Sequence, residues 1–531
     1  MAALALACTL APAPACAQPT AAAAPAEDAS PAFEILEYVI EGNTVLPVEA
    51  VERAVYPHLG PARRFDDVEA ARKALETAYR SLGYALASVD IPEQRADTGV
   101  IRLLVTEGRV ARTRVVGARY YSQGYILERV ASAAEGQVPH LPTLQAQLLD
   151  VNRSADRRVV PVLRPGREAG STEIDLNVTD SLPLHGSLSL NNQASRNTSA
   201  TRLQAALSYD NVLQRDHNLG LQAVVSPESP GEVQVLSATY SMPRGPAGLA
   251  ALSFSYTRSD SQVFAGVGGT QLFGTGNIFG VRRSVVLELA DQSFQLLTLS
   301  AEYKDMLDSV QAGAGAGFDT PITYLPLGMG WTGAFRAPQG EWQLGATLSG
   351  GLRGLVNEQQ EFSDKRYQAK AQYLLLKLDA RHTRTLPWYG LRLRAQADVQ
   401  LAPAPIISNE QFVVGGANSV RGYLEAEAVG DQGLRGSLQL ATPDLAPRLG
   451  WPLLASASLH TFVDGALAVL RRPLPGQASR FRLLGVGLGG QLSTKGSYPM
   501  SLSLELGWPL LKHDSLGSDG LRAHANASVG F

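Results

Sequence analysis

The run LRLRAQADVQL, residues 391–401, alternates from end to end. Leu391, Leu393, Ala395, Ala397, Val399 and Leu401 are apolar, and Arg392, Arg394, Gln396, Asp398 and Gln400 stand between them. Successive side chains of a β-strand leave on opposite faces, so this strand has one apolar and one charged face. A soluble sandwich would bury a dense aliphatic and aromatic layer on its inner side. Here the apolar face holds only Ala, Leu and Val, while the other face holds paired charges such as Arg392 and Arg394. Apolar toward lipid and polar toward an inner lumen is the pattern of a closed transmembrane barrel.

The pattern spreads in both directions from this run. LLLKLDARHT, just upstream, sets Leu376, Leu378 and Ala380 against Lys377, Asp379 and Arg381, and the tight LPWYG joins the two strands. Near the end, SLSLELGW presents Leu502, Leu504, Leu506 and Trp508, and LRAHANASVGF runs to a lipid-register Phe531. All five tryptophans fall in this half, mostly near expected strand ends, as interfacial girdles require. With strands of about ten residues, residues 182–531 suit an antiparallel barrel of roughly sixteen strands. The most apolar stretch, 450–470, is broken by His460 and Asp464, and no run approaches the roughly 20 residues of a membrane helix.

Before residue 182 the texture is different. From Phe33 the order is strand (FEILEYVIEG), helix (PVEAVERAVYPHLG), helix (DDVEAARKALETAYRSLGY), strand (ALASVDIP) and strand (GVIRLLVTEG). Val68, Ala71, Leu75 and Tyr79 recur at helical spacing, and Asp66 and Asp67 suit a helix N-terminus. The same β-α-α-β-β order then repeats through VARTRVVGARYY, GYILERVASAA, TLQAQLLDVNRS, RRVVPVLRPG and STEIDLNVTD. The chain thus carries two tandem α+β modules, at 33–108 and 109–181.

Residues 1–17 end in Ala15-Cys16-Ala17 and are expected to be a signal peptide, although basic residues are missing from its front. Both cysteines, Cys8 and Cys16, lie within it, and neither follows a lipoprotein box. Residues 18–32 offer no apolar periodicity and read as a disordered linker.

A net charge of −3, with no basic stripe, argues against nucleic acid as a partner. The eight histidines are scattered, and His382 and His524 are expected to face the lumen or the membrane interface. There is no HExxH, no cysteine metal spacing, no GxSxG elbow and no nucleotide loop. The expectation is no catalytic residue, no metal and no cofactor.

One glycine-dense loop, QFVVGGANSVRGYLEAEAVGD at 411–431, carries a lone arginine, Arg421. Two β-α-α-β-β modules, a barrel of this length and VRGY in a late loop together resemble the transporters of two-partner secretion, the hemolysin secretion/activation type within the POTRA-barrel superfamily. RRVVPVLRPGREAGSTEIDLNV and NNQASRNTSATRLQAALSYDN, at 191–211, are similar to that family's module ending and first barrel hairpin. The resemblance implies two periplasmic POTRA modules before an outer-membrane barrel, monomeric and set in outer-membrane lipid. It implies no enzymatic activity but recognition of a secreted partner polypeptide, through that partner's N-terminal secretion domain, and its passage through the barrel. An insertase for other barrels, or a porin-like channel, are the alternatives; two modules rather than more speak against the first.

In that family the VRG[YF] arginine of an inward-folded loop meets the aspartate of an FxDxG strand. Here these are Val420, Arg421, Gly422 and Tyr423, opposite Phe462, Asp464 and Gly465, with the departure that Gly465 follows Asp464 directly and Ala466 comes next. A charge-assisted pair is a plausible anchor for a loop in a wet lumen, where little apolar burial is available. By the same resemblance a partner-binding groove is expected in the second module, from Leu144, Leu148 and Val151 on a helix and Val159, Val160, Val162 and Leu163 on a strand. The plain alternative is that these seven form the module's own core. With only about fifteen residues before Phe33, no plug helix is expected.

Overall fold

The computed structural model describes residues 32–531, apart from 96, 197, 245–248, 268–269, 311–317 and 512–519. The signal peptide at 1–17 and the linker without a plug helix, except for Ala32, therefore lie outside the described residues. The chain divides into two compact units. One holds residues up to 113 with 132–144 and 163–174; the other holds 114–131, 145–162 and 175–531.

From Leu184–Asn191 to Arg522–Gly530 the described strands close into one antiparallel barrel. It has sixteen strands when Phe318–Tyr324 and Pro326–Ala337, which both pair with Ser293–Val310, are taken as one. The break falls where Pro326 has no N–H to give the ladder, and the Leu325 N–H instead donates to Asn357 Oδ1 at 2.9 Å. The last strand closes on the first from Asn526 opposite Asn191 to Gly530 opposite Ser187. Phe531 and Gly186 then exchange backbone hydrogen bonds of 3.0 and 3.1 Å, and a Cβ on Gly186 would come within 2.3 Å of the Phe531 ring.

The alternation has its physical outcome in the two faces. Leu188, Leu190, Phe254, Phe279, Leu299, Leu438, Leu459 and Leu502 stand exposed on the outer, lipid-facing side. Inside, hydroxyls meet across strands: Ser241 with Ser253 at 2.9 Å, Ser456 with Ser493 at 2.7 Å, Ser501 with Ser528 at 2.6 Å. Strand length departs from the ten residues expected. Ala250–Val267, Thr270–Ala290 and Ser293–Val310 have 18, 21 and 18 residues. At about 3.3 Å per residue even a strongly tilted 21-residue strand outruns a bilayer core of about 30 Å, so these three project beyond the membrane as paired ribbons. Among the described residues no helix is long and apolar enough to cross a membrane, which says nothing of strands.

In the first module, Glu37–Glu41 lies parallel to Val100–Thr106, whose other neighbour is Ser88–Asp90. The helices are Val48–Val55 and Phe65–Ser81, and the stripe Val68, Ala71, Leu75 and Tyr79 is buried. Asp67 accepts the Arg64 N–H at 2.9 Å, closing the helix start. A short strand not expected from the sequence, Gly60–Arg63, pairs with Phe33–Ile35; its entry at Gly60, φ +130°, is open to glycine and costly for other residues. In the second module the strand expected to reach Tyr121 stops at Val116, because Gly117 turns with φ +91° against the Val178 carbonyl. The sheet order is Arg109–Val116, Ser171–Asp180, Arg157–Pro165, which leaves Arg157–Pro165 at an edge.

Candidate functional site

Strand Arg392–Leu401 is followed by a loop, 402–431, that folds back before Gln432–Ala441 resumes the wall. Within it Phe412–Val414 and Ala428–Gly430 pair as a short hairpin. Gly415 and Gly416, both at φ +104°, and Gly422, at φ +99°, occupy backbone that side-chain-bearing residues rarely adopt. Val414, Val420, Tyr423 and Ala428 are buried with wall residues Ala468 and Leu483.

Arg421 lies at the centre of a buried charge cluster. Its Nε donates to Asp464 Oδ2 at 2.7 Å, its Nη2 to Oδ1 at 2.8 Å and its backbone N–H to Oδ2 at 3.1 Å. Its Nη1 reaches Glu505 Oε1 at 3.0 Å, and its guanidinium lies 3.5 Å from the centre of the Phe462 ring. Asp464 is fully buried and takes a further bond from Ser437 Oγ at 2.6 Å. His460 Nε2 sits 3.0 Å from Glu505. The Gly422 N–H donates to His524 Nε2 at 3.2 Å, and the Tyr423 hydroxyl to the Leu511 carbonyl at 2.7 Å. One arginine thus faces two carboxylates. The arrangement can hold a loop to a wall.

The structure brings Val420, Arg421, Gly422, Tyr423, Phe462 and Asp464 together, whereas Gly465 stands on the alternate register away from the loop. A Cβ there would meet Leu484 Cδ1 at an ordinary 3.7 Å. The close approach is made by other glycines. A Cβ on Gly485 would strike the Arg421 carbonyl at 2.1 Å, one on Gly507 the Gly422 nitrogen at 2.5 Å, and one on Gly487 the Phe462 ring at 2.4 Å. Glu505 and Ser437 have no signal in the sequence, being single residues on separate strands; His460 shows there only as a break in an apolar run and His524 only as a residue facing the lumen or the interface. The readable signal was the alternation Gly485, Gly487, Gly489, which clears one face of a strand.

The loop has two further ties near its roots. Arg366, after the helix Gln359–Lys365, forms a two-pronged pair with the fully buried Asp431, which also accepts the N–H groups of Ile406 at 3.0 Å and Arg471 at 2.6 Å. Lys304 Nζ reaches Glu410 at 2.8 Å, and the Tyr324 hydroxyl reaches the same carboxylate at 3.0 Å. Phe362, Tyr324, Tyr373, Ile406 and Ile407 are buried together there. Within the loop, Glu425 accepts the Ala417 N–H at 2.7 Å, and burial pushes its carboxyl up to about 7.

The seven expected groove residues separate by burial. Leu144, Val151 and Val159 are buried in the module, Leu148 and Val162 are half-buried, and Val160 and Leu163 are exposed on the edge strand. Leu149, unremarked in the sequence, is 74 % exposed on the helix Leu141–Val151. His382 stacks on Trp342 with ring centres 4.1 Å apart, and His524 faces the loop. Among the described residues Asp156, His185 and Asp210 bring possible metal-ligating atoms within 4.8 Å, with His185 already hydrogen-bonded to Asp156.

Residues 170–491 match the family described as haemolysin secretion/activation protein ShlB/FhaC/HecB, and residues 33–108 match the ShlB-type POTRA domain. The first match spans more than half the chain. The chain belongs to that family. Among relatives of this ShlB/FhaC/HecB member, the outer membrane transporter CdiB of Escherichia coli O6:K15:H31 is 24 % identical over 517 residues, covering 94 % of this chain and 83 % of the relative. The heme/hemopexin transporter protein HuxB of Haemophilus influenzae is 20 % identical over 463 residues, covering 84 % and 78 %. The solved structure of CdiB from Escherichia coli superposes with a TM-score of 0.60 at 21 % identity, over 96 % of this chain and 93 % of that one, which speaks for the fold. As a member of the ShlB/FhaC/HecB family, the chain is an outer-membrane transporter that translocates a secreted partner protein, its POTRA region periplasmic.

Proposed function

We propose that the POTRA modules, at 33–108 and 109–181, capture the partner's N-terminal secretion domain, and that the barrel, monomeric in outer-membrane lipid, passes the partner unfolded to the cell surface. Capture is by strand addition to the open edge Arg157–Pro165, beside which Leu148, Val160, Val162 and Leu163 offer apolar contacts. Leu144, Val151 and Val159 act from beneath, as the core that holds this surface. The loop with Val420, Arg421, Gly422 and Tyr423, pinned on Phe462 and Asp464, sets the pore conformation; Gly465 has no part in the pin. The chain does no covalent chemistry, needs no cofactor and engages no nucleic acid.

The observation that supports this reading most directly is the Arg421 fork on Asp464, which ties a mobile class of element to the inner wall of a water-accessible barrel. The test is co-expression with an exported protein from a neighbouring reading frame, assayed in the medium with the intact chain and with 33–181 deleted. Secretion that needs the modules while the barrel still assembles is expected. Secretion unaffected by the deletion points to an insertase or a porin.

A further inference from the structure

The edge strand Arg157–Pro165 begins on a residue with no exposed side-chain surface. A buried guanidinium persists only where its donors are matched. Arg157 Nε and Nη2 donate to the Val151 carbonyl at 2.9 and 2.6 Å, at the end of the helix Leu141–Val151. Its Nη1 and Nη2 fork onto the two oxygens of Asp216, each at 3.1 Å. The guanidinium lies over the rings of Tyr121 at 4.3 Å and Tyr125 at 5.3 Å, and the Tyr125 hydroxyl donates to Asp216 as well. The carboxylate of Asp180 takes the N–H groups of Arg119, Tyr120 and Tyr121, fixing the segment that carries Tyr121.

Asp216 belongs to the barrel. It sits on the turn between Arg202–Val212 and His217–Val225, at the end where the chain enters its first strand. Leu213, Gln214 and Asp216 all hold left-handed backbone, φ +55° to +59°; the first two are the centre of a hairpin turn closed by the Arg215 N–H on the Val212 carbonyl at 3.3 Å, and Gln214 is held in it by its surroundings. Those surroundings are visible. Asn211 Nδ2 donates to Gln214 Oε1 at 2.9 Å, the same oxygen accepts the Ser122 N–H at 2.9 Å, and Gln214 Nε2 donates to the Tyr120 carbonyl at 3.0 Å. Residues 114–131, 145–162 and the barrel form one compact unit.

We propose that Arg157, clamped by Tyr121, Tyr125 and Asp216, is a positioning residue that fixes the root of the capture strand on the barrel's first periplasmic turn, so that a partner added to this strand is delivered beside Arg202–Val212 and His217–Val225. The inference rests on the transporter reading for its cargo and on the turn geometry for its joint. Each has its own measurement. For the joint, spin labels at Arg158→Cys and at Gln292→Cys, the latter on the turn between the barrel strands Thr270–Ala290 and Ser293–Val310, report a distance distribution on the detergent-solubilised full chain. It is expected to be narrow in the otherwise native chain, to broaden in Arg157→Ala, and to broaden less in Tyr125→Phe, which keeps the ring and loses only the hydroxyl. For delivery, the exported protein identified by co-expression is assayed for secretion and for binding to the purified chain. Secretion is expected to fall at least tenfold in Arg157→Ala and several-fold in Tyr125→Phe, with bound partner within twofold of wild type in both.

A distribution as narrow as wild type in Arg157→Ala, or undiminished secretion from a variant whose distribution has broadened, overturns the proposal. Lost partner binding overturns it too, since Arg157 would then be part of the capture surface. If the native chain secretes no partner, the transporter reading fails and the distance distribution alone decides the joint.

Discussion

At the scale of the residue, Arg421 and Asp464 are not equivalent halves of a pair. Asp464→Ala leaves the guanidinium with Glu505 at 3.0 Å, whereas Arg421→Ala takes the guanidinium from both carboxylates and leaves the buried Asp464 with only the Ser437 hydroxyl among its side-chain partners. Breaking a buried pair costs about 3–5 kcal/mol. The larger figure is expected for Arg421→Ala, and about 1–3 kcal/mol for Asp464→Ala. Maleimide labelling of Asn418→Cys on the loop should therefore quicken more in the first variant than in the second; equal rates would refute the asymmetry. Glu425 makes the loop sensitive to pH. Released, its carboxyl titrates near 4.5; docked and buried, near 7. Below the lower value it is neutral in both states and costs nothing. As pH rises between the two it ionises only when the loop is free, so docking weakens, and the loss is complete above about pH 7, on the order of 3 kcal/mol. Channel conductance in planar bilayers should become more frequent from pH 5 to pH 8 in the native chain and stay level in Glu425→Gln. A level native profile would remove Glu425 from the account.

At the scale of the element, the wall is shaped for the loop by glycines on neighbouring strands rather than by the one beside the aspartate. Gly485→Ala drives a methyl into the Arg421 carbonyl, and Gly465→Ala places one at ordinary contact distance. The first should free the loop to protease and the second leave it protected; the reverse order would contradict the geometry. These elements also show what was legible. LRLRAQADVQL declared a barrel strand because period-two alternation with charge on one face has few other homes, and the helix stripe Val68, Ala71, Leu75 and Tyr79 followed from its 3.6 spacing. The lengths of Ala250–Val267 and its two neighbours were hidden, since alternation marks a strand's faces and not where the bilayer ends along it. The contacts of Glu505 and His524 with the loop were hidden for another reason. Glu505 meets the Arg421 side chain and His524 the Gly422 N–H only because the loop folds in across the strands Met500–Pro509 and Arg522–Gly530, and no local pattern records that.

At the scale of the whole molecule, a periplasmic region with an open strand edge precedes a barrel whose lumen holds its own loop, tied at Arg421, Asp431 and Glu410. Arg366→Ala should loosen the outer tie while Arg421 still holds the inner one, raising conductance without the full effect of Arg421→Ala. A conductance equal to wild type would show that the outer tie bears no load. The family was legible from VRGY and FxD only in the company of two modules and a barrel of the right length, since four residues alone recur by chance. The edge position of Arg157–Pro165 could not be read at all, because strand order within a sheet is a property of the fold. The central claim is that the pinned loop sets a pore through which a partner is secreted, and its most direct test is secretion of the co-expressed partner by Arg421→Ala in an assembled, heat-modifiable barrel. Loss of secretion with normal assembly is the result predicted; secretion at the wild-type level would contradict it.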